Sequence, residues 1–116
     1  MNKIFHLSSC STCVRILNET GTKGFEVQDL KKQNISAIEL DILKESAGGY
    51  EALFNKRAIK YKDQGLKDKM LNEADYRELI LGEYTFLKRP VYLFNGHVFV
   101  GNDKKTVERL KAELGV

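Results

Sequence analysis

The first thirty residues constrain the fold more than any other part of the chain, because they read as strand, helix and strand in succession. Lys3-Ile4-Phe5-His6-Leu7 has the β-branched and aromatic character of a short strand. The run Ser8-Ser9-Cys10-Ser11-Thr12-Cys13 favours side-chain bonds to nearby backbone and suits the cap of a helix. That helix is expected over Cys13-Val14-Arg15-Ile16-Leu17-Asn18-Glu19, stopping near Gly21 and Gly24, where glycine accepts a left-handed turn. Gly24-Phe25-Glu26-Val27-Gln28-Asp29-Leu30 then alternates apolar and polar residues, the period of a second strand. A helix that carries the chain back between two strands leaves them parallel, so this is a βαβ unit and the protein is of α/β class.

The middle of the chain reads as helical. Ser36-Ala37-Ile38-Glu39 is a capping box, and Ile38, Leu40, Ile42 and Leu43 supply apolar residues to the helix that it opens. This helix ends at Gly48-Gly49. A short turn through Tyr50–Phe54 and an irregular stretch over 55–62 follow. Another helix is expected from Asn72, with Ala74, Tyr76, Leu79 and Ile80 as its inner face, ending near Gly82. Val91-Tyr92-Leu93-Phe94, Asn95-Gly96 and His97-Val98-Phe99-Val100 spell a hairpin, since Asn-Gly tolerates the positive φ angles of a two-residue type I′ turn. Asn102 or Asp103 can cap a last helix with Val107, Leu110 and Leu114 on one side. The order βαβ, helices, ββα is that of a thioredoxin-type fold: residues 1–116 as one domain, a mixed sheet flanked by helices, and a helical insertion at about 36–82.

Composition bounds the function. With 116 residues, 42% of them hydrophobic and 30% charged, the chain has a core for one domain and is neither disordered nor fibrous. Nineteen Lys and Arg against sixteen Asp and Glu leave only +3, with the signs interspersed. That pattern argues against direct nucleic-acid binding, which gathers cations on one face. No stretch approaches the ~18 apolar residues of a membrane span, and the first residues lack the apolar core of a signal peptide. A cytoplasmic location is expected.

The two cysteines, Cys10 and Cys13, are too few to staple a secreted mini-domain, and their spacing suits redox or metal chemistry. Three residues of helix advance about 4.5 Å and turn roughly 300°, so the two sulfurs share one turn and can be bridged. At the start of a helix, unpaired amides and the positive end of the dipole favour thiolate over thiol. Cys10, nearer the exposed end, is the expected nucleophile and Cys13 the resolving thiol, with the small hydroxyls of Ser11 and Thr12 keeping the approach open. Two incidental core thiols are the plain alternative. A zinc site would need four ligands, with only His6 and His97 available besides the cysteines and no second Cys pair; no metal is expected.

Pro90 is the sole proline and stands just before the hairpin, where its missing N–H suits the start of a strand. In a thioredoxin-type fold this position typically holds a cis X–Pro bond facing the CxxC, with free backbone groups for an extended thiol substrate. A trans proline opening an edge strand is the alternative. Arg89 then lies near Cys10, where its fixed charge would stabilise a thiolate and attract anions; a solvated strand-end arginine is the plain reading.

These residues resemble the arsenate reductase/Spx (ArsC-like) family of the thioredoxin-like superfamily over nearly the whole chain. The anchors are Phe5-His6 before Cys10-Ser11-Thr12-Cys13, Phe54-Asn55-Lys56-Arg57 followed by Tyr61-Lys62-Asp63-Gln64-Gly65-Leu66, and Arg89-Pro90-Val91 running to Val100-Gly101. The resemblance implies a Cys10 that attacks the substrate, a His6 that helps activate it, and arginines that hold an oxyanion. Arg89 matches one arginine. The other two positions fall on Asn55 and Gly101, while Arg57 resembles an arginine of the Spx-like and YffB-like members. The family implies no tightly bound cofactor and glutathione with glutaredoxin, or thioredoxin, as electron donor, acting on a small anionic or thiol substrate. The CxxC is also similar to that of Spx, a redox-switched regulator that binds the RNA polymerase α subunit. Gly49 falls near a glycine important for that contact, or is simply part of a helix stop.

Overall fold

The computed structural model describes residues 2–116. In chain order its elements are β1 (Lys3–His6), α1 (Ser11–Thr20), β2 (Glu26–Asp29), α2 (Ala37–Ala47), α3 (Ile59–Asp63), α4 (Glu73–Gly82), β3 (Val91–Phe94), β4 (His97–Val100) and α5 (Lys104–Leu114), with three short 3₁₀ turns between α2 and β3. They fall into two compact units. One comprises the chain up to Gln33 together with Arg89–Val116, and the other is the inserted segment Asn34–Lys88.

The first unit holds a four-stranded sheet in the order β2-β1-β3-β4. β1 and β2 are parallel, as the connecting helix requires, whereas β3 pairs antiparallel with both β1 and β4, so the sheet is mixed. Ile4, Tyr92 and Phe99 stand opposite one another across three strands and point to one face. There they pack with Ile16 of α1 and with Val107 and Leu110 of α5. Covering each such side chain contributes roughly 1.5–3 kcal/mol against the entropy of ordering it. The Tyr92 hydroxyl, carried into this core, lies 2.7 Å from the Thr20 hydroxyl, whose own proton goes to the Gly21 carbonyl. Asn95 and Gly96 both have positive φ, 50° and 81°, as the tight hairpin between β3 and β4 requires. Asp103, rather than Asn102, caps α5 by accepting from the Thr106 amide at 3.1 Å.

In the second unit the Ser36–Glu39 box closes reciprocally, each side chain accepting from the other's amide at 3.1 Å. Asn72 and Asp75 form a second box that opens α4. Gly48, at φ 89°, ends α2 in the left-handed conformation. Of the four apolar residues named in α2, Leu40 and Leu43 are buried, while Ile38 and Ile42, one turn apart on its other side, are 75% and 44% exposed. Two expectations need correction. In α4 the buried pair is Tyr76 and Ile80, at i and i+4; Ala74 points away from that stripe and is exposed. Finally, the stretch over 55–62, expected to be irregular, contains the start of α3. That helix has no side-chain cap and buries none of its residues, so neither signal by which helices are read from sequence was present. Tyr61 on it packs edge-on to Phe54, whose ring also meets Tyr76 and Phe86.

No helix among the described residues is long and apolar enough to cross a membrane.

Candidate active site

β1 ends at His6, and four residues, Leu7–Cys10, turn the chain into α1. The Cys10 amide donates back to the Leu7 carbonyl at 3.0 Å, closing that turn. Cys10 is the residue immediately before the helix, with extended φ and ψ of −97° and 108°. The helix starts at Ser11, two residues earlier than the apolar pattern from Cys13 suggests, which places Cys10 rather than a hydroxyl residue at the N-cap. No acidic residue occupies the first turn. The positive end of α1 is therefore left to the Cys10 sulfur.

The sulfur closes no side-chain cap hydrogen bond of the kind an oxygen makes, in keeping with its weakness as an acceptor. Its ionised form is nonetheless favoured. Burial raises the Cys10 pKa, but the Cys13 amide, the Cys13 thiol, the positive charge of Arg89 and the Thr12 amide all lower it, and the balance falls below the ordinary thiol value. Cys13 behaves in the opposite way. It is fully buried, and burial, then donation of its S–H toward Cys10, push its pKa up to about 12 against the opposing pull of the Leu7 amide. One turn of helix thus holds a thiolate-favouring sulfur and a proton-holding sulfur side by side, and both thiols are free.

Arg89 and Pro90 open β3, the strand beside β1, and the peptide bond between them is cis. Pro90 is buried and Arg89 half-buried, and the Pro90 carbonyl accepts from the Gly101 amide at 2.9 Å. Ser11 is exposed and Thr12 half-buried; what they bring to the sulfur is backbone, the Thr12 amide acting on it directly.

His6 is placed differently. Its Nδ1 is buried without a hydrogen-bond partner, and it stands in register with Asp29 of β2. It influences the Asp29 carboxylate and is not among the principal influences on Cys10. Arg57 belongs to the inserted unit, where it is exposed on a turn whose amide donates to Asn55 Oδ1 at 3.0 Å. Asn55 itself braces that unit, its amide group donating to the Thr85 carbonyl at 3.3 Å. Gly101, the other non-arginine position, adopts φ 91°, where a glycine is at ease. The structure thus joins Cys10, Cys13, Thr12 and Arg89 around one sulfur and leaves His6 facing Asp29. Among the described residues no group of three or more His, Cys, Asp and Glu side chains is placed to hold a metal ion.

Asp29 carries no motif that marks it in the sequence. Its Oδ1 accepts from the Ser8 amide at 3.2 Å and from the Lys31 amide at 3.1 Å. The only hint in the sequence was an acid closing the second strand of a βαβ unit, which gains meaning once the strand register is known.

Residues 5–110 match the model of the ArsC family. The fold is shared with an arsenate reductase from Vibrio cholerae (TM-score 0.77, 21% identity, covering 93% of this chain and 95% of that one). It is shared as well with an ArsC-family-related protein from Bacteroides fragilis (0.78, 23%, 95% and 98%). An arsenate reductase (ArsC) related protein from Brucella melitensis is also similar (0.69, 22%, 99% and 95%). At these identities the likeness establishes the thioredoxin-like fold and nothing finer. No curated protein matches the sequence.

Proposed function

The chain belongs to the ArsC family, and from that membership and the state of the Cys10 sulfur we propose that it is a thiol-disulfide oxidoreductase of arsenate-reductase-like type. The observation that carries this reading is a sulfur at the start of α1 that favours thiolate, beside a buried thiol that keeps its proton. Such a pair divides the labour of disulfide exchange. The Cys10 thiolate attacks one sulfur of a disulfide substrate, forming a mixed disulfide and expelling the other sulfur as a thiolate, which takes a proton from solvent. Loss of the negative charge on Cys10 removes one of the causes that hold the Cys13 proton. Cys13 then gives up its proton and attacks Cys10, closing the Cys10–Cys13 bond and releasing the second substrate thiol. Two electrons leave the protein, and glutathione with glutaredoxin, or thioredoxin, returns them.

Arg89 supplies the charge that would hold an anionic group of the substrate, and Arg57 is assigned to the same task. Ser11 and Thr12 leave the sulfur open to approach, and Pro90 would present backbone to an extended thiol. His6 is retained as a tuning residue through its neighbour Asp29. No cofactor is required, and the cycle suits the reducing cytoplasm.

The test is turnover with glutathione, glutaredoxin or thioredoxin against arsenate and against a generic disulfide, with Cys10→Ser as blank. Cys10-dependent turnover of the disulfide is expected. Turnover equal in the blank would reject the reading.

A second reading, a redox-switched regulator similar to Spx, is favoured by one observation: Asn55 is committed to Arg57 and Thr85 backbone, so the inserted unit offers a single arginine there for an oxyanion. Retention of the polymerase α subunit that differs between the oxidised and the reduced chain would support it, and no retention in either state discards it. A Cβ at Gly49 would come within 2.9 Å of Glu73 Oε1, the end of a flexible side chain that could move aside.

A further inference from the structure

We propose that Asp29 is a positioning residue for the Cys10 nucleophile, its carboxylate clamping the turn between β1 and α1 through the Ser8 amide. The inference rests on the reading of Cys10 as the reactive thiol.

The turn that carries Cys10 is anchored at its start by the buried Leu7 side chain, and the two residues that follow have no such anchor. Ser8 and Ser9 are exposed and contribute no apolar side chain to the core. Within the turn, the Cys10 amide donates to the Leu7 carbonyl. From outside, Asp29 Oδ1 accepts from the Ser8 amide at 3.2 Å. That carboxylate is itself fixed. The same oxygen accepts from the Lys31 amide, the Asp29 carbonyl accepts from the Lys32 and Gln33 amides at 3.0 Å, and the Leu30 amide continues the parallel ladder to the His6 carbonyl at 2.8 Å. A closed loop of bonds results. It runs from His6 to Leu30, through Asp29 to Ser8, and back along the chain to His6. Shifting Ser8 would break it, and Ser8 lies two residues before the sulfur that must meet the Thr12 and Cys13 amides.

A carboxylate disfavours a nearby thiolate, yet Asp29 is not among the principal influences on the Cys10 charge; what it gives the nucleophile is a fixed acceptor oxygen on the Ser8 amide. Charge and acceptor separate by substitution. Asp29→Asn keeps an acceptor oxygen and removes the charge; Asp29→Ala removes both.

The experiment is the pH profile of iodoacetamide alkylation at Cys10 in the full chain, for wild type and both variants. Thermal melts by circular dichroism and hydrogen exchange at the Ser8 amide accompany it. Asp29→Ala is expected to lose Ser8 protection and raise the Cys10 midpoint, lowering the thiolate fraction below that midpoint about three- to tenfold. Asp29→Asn should keep Ser8 protected and show a midpoint at or below that of wild type. A midpoint in Asp29→Ala equal to or lower than wild type overturns the proposal, and so does an equal rise in both variants. Should Asp29→Ala not fold, the wild type still decides: a Ser8 amide that exchanges like an unstructured peptide means there is no clamp. A wild-type midpoint near that of free cysteine would instead strike the oxidoreductase reading, with the Ser8 exchange result still bearing on the clamp.

Discussion

Replacing Cys13 by alanine isolates one of the supports of the Cys10 thiolate. Four groups favour ionisation: the Cys13 amide, the Cys13 thiol, Arg89 and the Thr12 amide. Alanine keeps both amides and Arg89 and removes only the S–H donor. A hydrogen bond to a charged group is worth about 1.5–3 kcal/mol, and S–H is a weak donor, so the low end, about 1.5 kcal/mol, applies. That corresponds to about one pKa unit, upward. Rates change less than ionisation does. At a pH below both midpoints the thiolate fraction falls about tenfold, but the more basic thiolate is roughly threefold more nucleophilic with a Brønsted coefficient of about 0.4–0.5. Alkylation should therefore slow about three- to fourfold at such a pH while reaching a higher plateau above the midpoint. The assay is the rate of iodoacetamide labelling against pH, followed by intact mass. In the wild type Cys13, held up to about 12, stays protonated across the range, so the labelled site is Cys10. Cys13→Ser is the control, because a buried hydroxyl still donates; its midpoint should remain at or below that of wild type. An unchanged midpoint in Cys13→Ala, or an equal rise in both variants, would refute the account of the pair.

Arg89→Gln should also raise the Cys10 midpoint, by less than Cys13→Ala because its influence ranks lower, and in wild type the Arg89 contribution should shrink as salt screens the half-buried guanidinium; labelling profiles at 0.05 and 1 M salt check both. Acid should weaken the inserted unit through Asp41, whose carboxylate is held down to about 2 by Arg77 and then by the Tyr50 hydroxyl. A folded pKa below the unfolded value means stability present above about pH 4 and lost as pH falls through about 2, so urea midpoints should drop over that window in wild type and less in Asp41→Asn. Gly96→Ala forces a side chain onto φ 81° and should cost about 1–2 kcal/mol, read as a lower urea midpoint with unchanged slope.

Local rules account for much of what could be read from the sequence. The Ser36–Glu39 box, the start of α4 at Asn72, the Asn95-Gly96 hairpin and the cysteine pair at a helix opening each depend on residues within a few positions of one another. Signals of that range survive translation from sequence to structure, because capping and turn geometry are decided by the same few residues that display them. α3 is not legible in the sequence for the complementary reason, since no side-chain cap and no buried stripe announces it.

What the sequence alone determined was the βαβ opening, the mixed α/β class and two sulfurs one helical turn apart. The order of the sulfurs along the helix already pointed to Cys10 as the reactive one; tertiary structure supplied the groups that make the two differ. Burial of Cys13, the Arg89 charge brought in by a strand some eighty residues away, and the Asp29 oxygen set against Ser8 by strand register are all long-range placements. A thiol's pKa is the sum of desolvation, charge and hydrogen bonding at one point in space, and a linear spacing carries no information about which distant groups arrive there.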